Sequence, residues 1–183
     1  KTKEILITDV NRFSYLEIEG KGKNRLSSTG YYGVQYNKKA IEKELGIEID
    51  YYFSVETKGF VKLVDAVGGI NYCSDYSYTT THAKLLETYD DSQGDKLYVK
   101  KGCQHLNGIE TLTVARERNA FKDWITQRER NCTAIMENIL EAVKQPSNIT
   151  KYPEILESMD GMYKTNIPKD TVQSSIKSLL NDK

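Results

Sequence analysis

Two short runs of arginine hold most of the chemistry this sequence offers. Arg116-Glu117-Arg118 closes one predicted helix, and Arg128 and Arg130 open the next one about ten residues later. A guanidinium is a permanently charged planar fork of donors, suited to phosphate and pyrophosphate oxygens. Each such charge-assisted hydrogen bond contributes on the order of 1.5–3 kcal/mol. Ile109, Leu112 and Arg116 follow the i, i+3, i+7 spacing of one helical face, so Arg116 projects on the side of apolar residues. Arg128 stands four residues before Cys132 and extends an apolar stripe in the same way. A guanidinium turned toward a core needs an anionic partner. Glu117, Asp123 and Glu129 are the nearby carboxylates, which gives one reading, a structural ion-pair network. In the other, the arginines converge on a phosphate or pyrophosphate, aided by the N–H groups that open the second helix.

Other chemistries lose ground by absence. The sequence contains no G-x-S-x-G, no Walker A loop, no H-E-x-x-H and no G-x-G-x-x-G. His82 and His105 have no nucleophile placed beside them in sequence and read as surface or satisfied core residues. Cys73, Cys103 and Cys132 lack metal-ligand spacing and read chiefly as small hydrophobes. A bridge remains open in an oxidising compartment, and Cys103 with Cys132 is the pair considered, because those two flank the arginines. With 26 basic and 26 acidic residues the chain has no bulk field to draw in nucleic acid or anionic membrane. Thirteen tyrosines against four phenylalanines suit wet, sugar-friendly or sheet-rich surfaces. No apolar run approaches the roughly 18–20 residues that span a bilayer.

The elements that must position the arginines follow from periodicity. Lys3 to Val10 and Ser14 to Ile18 alternate as strands, and a Gly/Ser/Lys-rich loop runs from Gly20 to Gly33. Asn37 is placed to cap a helix that Gly46 stops. A short strand, Tyr51 to Val55, precedes an amphipathic helix through Phe60, Val61, Val64 and Val67 that ends at Gly68-Gly69. Ile70 to Tyr78 reads as one strand and Thr79 to Asp95 as a polar loop; Leu97 to Val99 is extended again. Asn107 precedes the helix that ends at Arg116. A long helix covers about Ile125 to Lys144, with Cys132, Ile135, Met136, Ile139, Leu140 and Val143 on one stripe. Helices over Ile149 to Ser158 and Pro168 to Leu180 close the chain. Strands alternating with helices predict a single mixed α/β layered domain over residues 1–183, a central β-sheet flanked by helices.

The stretch K-K-G-C-Q-H-L-N-G-I-E-T-L-T-V-A-R-E-R-N-A-F, followed by Q-R-E-R-N-C, resembles the signature region of the LytR–CpsA–Psr family. That region runs K-x-G-x-x-x-L-N-G-x-x-A-L-x-x-A-R-x-R and, after a loop, Q-R-x-x-N-Q or R-x-x-R-Q. Tyr51 to Ile70 is similar to the family's strand–helix–G-G segment, Ile5 to Ile18 to its strand–P-R-D–strand corner, and Ile149 to Leu180 to its tail. The resemblance implies a protein on the outer face of the bacterial membrane, behind an anchor. It would bind polyprenyl-pyrophosphate lipids in a hydrophobic pocket with an arginine-lined mouth. It would then transfer the attached glycopolymer phosphate to peptidoglycan or protein, with magnesium. Position by position, Arg12 matches the P-R-D arginine, Arg116 and Arg118 the A-R-x-R pair, and Arg128 the arginine of the following helix; these four are the expected catalytic residues. Arg25 falls at a pocket-lip lysine and Asn131 at an Asn-or-Arg position, and both, with Arg130, are expected to bind ligand.

Departures accompany the match. Asn11 and Phe13 replace the proline and aspartate of P-R-D, Trp124-Ile125 stands where many members have Gly-Asp, and Cys132 replaces a glutamine. The family's magnesium is held by aspartates of G-S-D and R-S-D segments that this sequence does not contain. The resemblance therefore implies a domain without the family's first strands and without metal ligands of its own. The alternative function is a degenerate relative that binds lipid phosphates without transferring them. Sheet edges left open by absent strands would favour a homodimer.

Overall fold

A computed structural model describes residues 6–84, 95–172 and 174–175, and its contacts fall into two compact units. The first comprises Lys1–Ser54 and Lys164–Ile167, the second Val55–Tyr163 and Pro168–Lys183.

In the first unit, β1 (Tyr15–Ile18) and β2 (Gly22–Arg25) form an antiparallel hairpin in the register Tyr15↔Arg25 to Ile18↔Gly22. Leu16 and Ile18 point inward and alternate with exposed Tyr15 and Glu17, the two-residue period of a half-buried strand. Leu16 packs with Leu26, Ala40, Val10 and Ile41. A 3-10 helix, Leu26–Tyr31, occupies part of the expected Gly20–Gly33 loop. Helix α1 runs Val34–Leu45, and Gly46 ends it in the left-handed conformation, its N–H bonded to the Glu42 carbonyl, as Gly46 predicts. Asn37 is not the cap: Gly33 holds that place, and the Asn37 amide donates to Thr29 Oγ1 at 3.0 Å. The described part of the expected Lys3–Val10 strand, residues 6–10, pairs with nothing as a strand, and Leu6 is 90% exposed.

The second unit carries the larger core. Strand β3 (Phe53–Val55) pairs with β8 (Tyr163–Thr165), most of both strands falling in the first unit, and helix α2 (Thr57–Ala66) follows in the second. Then β4 (Ile70–Ser74) pairs antiparallel with β7 (Gly102–Leu106), and β5 (Tyr78–Ala83) with β6 (Lys96–Val99). Helices α3 (Gly108–Arg116) and α4 (Trp124–Val143) follow, and then two short helices, α5 (Pro146–Ile149) and α6 (Tyr152–Ser158), in place of the single Ile149–Ser158 helix. Val64, Ile70, Tyr72, Tyr78, Val99, Val114, Ile135 and Ile139 pack into one cluster that joins α2, α3 and α4 to the two hairpin ladders.

The class is mixed α/β, as expected, but among the described residues the strands pair in twos and do not form one central sheet. Ile70 to Tyr78 splits because the Ser74 hydroxyl donates to the Tyr76 carbonyl and accepts from its N–H, closing a turn. The expected polar loop begins instead as β5, whose buried Tyr78 and Thr80 alternate with exposed Thr79. The rest of that loop, residues 85–94, lies outside the described residues. So does most of the closing helix, of which residues 169–172 are helical.

Candidate functional site

Helix α3 delivers the first arginines. Asn107 caps it in a reciprocal box: its side chain accepts from the Glu110 N–H, and the Glu110 carboxylate accepts from the Asn107 N–H. Arg116 is the last helical residue and Glu117 the C-cap, so Arg118 lies just past the helix end. Asp123 caps α4 by accepting from the Thr126 N–H, and α4 then carries Arg128, Arg130 and Asn131 in its second turn. Arg116, Arg118 and Arg128 are half-buried, Arg130 is exposed and Asn131 is only 2% exposed. The buried face of α4 runs through Asn131, Ile135 and Ile139, while Met136, expected on that stripe, is 46% exposed. Arg128 lies three residues before Asn131, on the same side.

Of the three carboxylates expected to neutralise these arginines, Glu117 and Asp123 bind backbone, while Glu129, like Arg116 and Arg118, has partners of its own. Glu117, 0% exposed, accepts from the Thr81 N–H at 2.6 Å and the Thr81 hydroxyl at 2.9 Å. It also accepts from the N–H groups of Arg118, Asn119 and Ala120 at 2.9, 2.8 and 3.0 Å. Burial works against its charge, but the hydrogen bonds from Thr81 and the following loop outweigh it and hold the carboxyl below its ordinary range. With Asp123 on a helix N–H as well, two of the three candidate counter-ions bind backbone.

Donors, by contrast, are in surplus on α4. Asn131 Oδ1 accepts from both the Tyr72 hydroxyl and the Gln127 amide, at 2.9 Å each, while its buried Nδ2 meets no acceptor. Arg128 Nε is likewise buried without an acceptor. Buried polar groups are normally hydrogen-bonded, so two unmet donors three residues apart on one helix face mark a place suited to oxygen-rich ligands. Gln127, which donates to Asn131, also lines a cleft of about 210 Å³ with Tyr76, Phe121, Lys122, Asp123 and Arg130; of the expected site residues Arg130 alone is in its wall. Phe121 is held edge-on to Tyr78 at 4.7 Å, and Tyr76, 54% exposed, lies 6.3 Å from it. Aromatic faces beside two cations suit a sugar phosphate better than an apolar ligand.

The other two expected arginines belong to the first unit. Arg12 and Arg25 are exposed, and both guanidiniums lie over the Phe13 ring, at 5.3 and 5.8 Å from its centre. The ring thus holds both guanidiniums by cation–π contacts. Among the described residues no three His, Cys, Asp or Glu side chains come together in a way that could hold a metal ion.

The cysteines correct the expectation. Cys73 and Cys103, directly opposite one another on β4 and β7, form a disulfide, and Cys132, outside any bridge, is a half-buried thiol 3.7 Å from the Ala115 carbonyl. Strand pairing, not nearness to the arginines, decides the partner. His105 is exposed and lies 3.3 Å from the Asn71 side chain, in keeping with a surface role.

A sequence profile of the LytR_cpsA_psr family matches residues 1–183. The chain belongs to the LytR–CpsA–Psr family. Its relatives include the polyisoprenyl-teichoic acid–peptidoglycan teichoic acid transferase TagU of Bacillus cereus, 28% identical over 183 residues, covering 99% of this chain and 56% of that protein. TagU of Bacillus licheniformis is 29% identical over 93% of this chain and 52% of its own length. The chain thus spans about half the length of these LytR–CpsA–Psr relatives. Among solved structures, Bacillus subtilis TagV superposes with a TM-score of 0.72 at 25% identity, over 93% of this chain and 62% of that one. TagT bound to LIIa-WTA superposes with a TM-score of 0.70 at 21% identity, over 93% of this chain and 61% of that one, a likeness of fold. No helix among the described residues is long and apolar enough to cross a membrane.

Proposed function

We propose that this chain is the polyprenyl-pyrophosphate-binding part of an envelope glycopolymer phosphotransferase, acting on a lipid-linked glycopolymer with peptidoglycan or protein as acceptor. The observation that carries the reading is the donor surplus at the head of α4, where Asn131 Nδ2 and Arg128 Nε are buried without acceptors. Arg116, Arg118 and Arg130 stand on the same α3–α4 junction. Transfer requires an acceptor hydroxyl to attack the glycan-side phosphorus. The bridging P–O bond breaks, polyprenyl phosphate departs with the added charge, and the hydroxyl proton passes to solvent. Guanidiniums fixed around that bridge stabilise the charge as it develops and need no reorganisation. The names of the TagU relatives support the glycopolymer and the peptidoglycan acceptor. The Cys73–Cys103 bridge supports a location outside the reducing cytoplasm, at the outer face of the membrane.

The second reading, a lipid-phosphate binder without transfer, is favoured by one observation: Phe13 stands where the family has an acid, removing a group for orienting Arg12 or moving a proton. Native mass spectrometry with polyprenyl pyrophosphate separates the cases. Retention of the lipid, lost in Arg116→Ala and Arg128→Ala, supports the arginine site, and release of polyprenyl phosphate on adding a glycan acceptor supports the transferase. Retention without release supports the binder. No retention by folded protein defeats both.

A further inference from the structure

The one buried carboxylate at the α3–α4 junction faces its own loop. Glu117 Oε1 accepts from four donors, the Thr81 hydroxyl and the consecutive N–H groups of Arg118, Asn119 and Ala120; Oε2 accepts from the Thr81 N–H. Three successive N–H groups turned toward one oxygen form a concave anion cradle, here filled by a side chain of the same chain. The carboxylate also lies in sequence between Arg116 and Arg118, so the backbone it fixes is the backbone that carries both guanidiniums.

We infer that Glu117 is a positioning residue for the arginine site, its carboxylate fastening the 118–120 loop to Thr81 of β5 so that Arg116 and Arg118 stand ready for the anion. The inference rests on the reading of these arginines as the anion-binding set. A carboxylate is required because both of its oxygens accept. A glutamine could still turn its oxygen to the loop, but its NH₂ would then face the Thr81 N–H, donor against donor. Loop and strand would come apart there, and ligand binding would have to order the loop again, at a cost in affinity.

Trp124, the only tryptophan, opens α4 beside this loop and reports ligand binding by its fluorescence. The probe is geranyl pyrophosphate, titrated into wild type, Glu117→Gln and Thr81→Val, with amide hydrogen exchange followed at residues 118–120. Losing a charged acceptor predicts about tenfold weaker binding for Glu117→Gln and about threefold for Thr81→Val. Faster exchange at the three loop amides accompanies both, while the core remains protected. A purely structural role would lower the melting temperature and leave the affinity of the folded protein unchanged, and that result overturns the inference. Should Glu117→Gln fail to fold, Thr81→Val decides: affinity equal to wild type overturns it. A wild type that does not bind the probe removes the reading of the site and this inference with it. A wild type that binds, with variants that bind equally, removes the inference alone.

Discussion

Glu117 separates what residue identity reveals from what it hides. Its type and its place between two arginines suggest a counter-ion, yet its partners are Thr81 and three backbone N–H groups, which no spacing rule displays. The arginines themselves were legible, because half-buried cations on apolar faces are anomalous wherever they occur. Arg12 and Arg25 were legible only as family positions; their shared contact with Phe13 depends on a β1–β2 register that the glycine-rich turn conceals. The lowered pKa of Glu117 sets the sign of a pH effect. Its folded value lies below its unfolded value, so its stabilisation is complete above the ordinary carboxylate range and is lost as pH falls through the folded value. Glu117→Gln should therefore cost about 2 kcal/mol near neutral pH. It should also melt with a flatter acid-side decline than wild type. Melting temperatures from pH 7 down to pH 3 check this, and parallel curves for the two proteins would assign the acid sensitivity to other carboxylates.

Helices were easier to read than strands. Apolar periodicity located α1, α2, α3 and α4 to within a few residues, and glycines just past their ends marked where α1 and α2 stop. β5 escaped because its inward positions include a threonine: Thr80 is buried and its hydroxyl accepts from the Leu97 N–H, so the alternation exists without an apolar signature. Gly108 shows how a helix start can be fixed by its neighbour. A Cβ there would lie 2.3 Å from the Val61 carbonyl oxygen of α2, and the Gly108 N–H donates to Asp65 of the same helix at 2.7 Å. Because the obstruction is backbone, it cannot swing aside. Gly108→Ala should push α2 and α3 apart and destabilise the fold by about 2 kcal/mol, despite alanine's better helix propensity. Urea denaturation measures it, and an unchanged midpoint would mean that the two helices are less closely packed than described.

At the scale of the whole molecule, neutral net charge and an odd cysteine count left compartment and cross-linking open, and the pairing of β4 with β7 resolves the second. The Cys73–Cys103 bridge ties residues 30 apart in sequence. Among the described residues between them, β5 and β6 are held by their own ladder, by the packing of Tyr78, Leu97 and Val99, and by the Thr81–Glu117 hydrogen bonds. Closing a loop of that size restricts the unfolded chain by about 3–4 kcal/mol in the chain-entropy account. For a protein of this length that corresponds to roughly 10 °C in melting temperature. Reduction under native conditions, or Cys73→Ser with Cys103→Ser, should produce that loss, and Cys132→Ser should not, because its thiol lies outside the bridge and closes no loop. The loss should appear at the arginines too, since Thr81 of β5 lies inside the closed loop and holds Glu117. A reduced protein that melts with the oxidised one and binds pyrophosphate equally well would separate the bridge from the site.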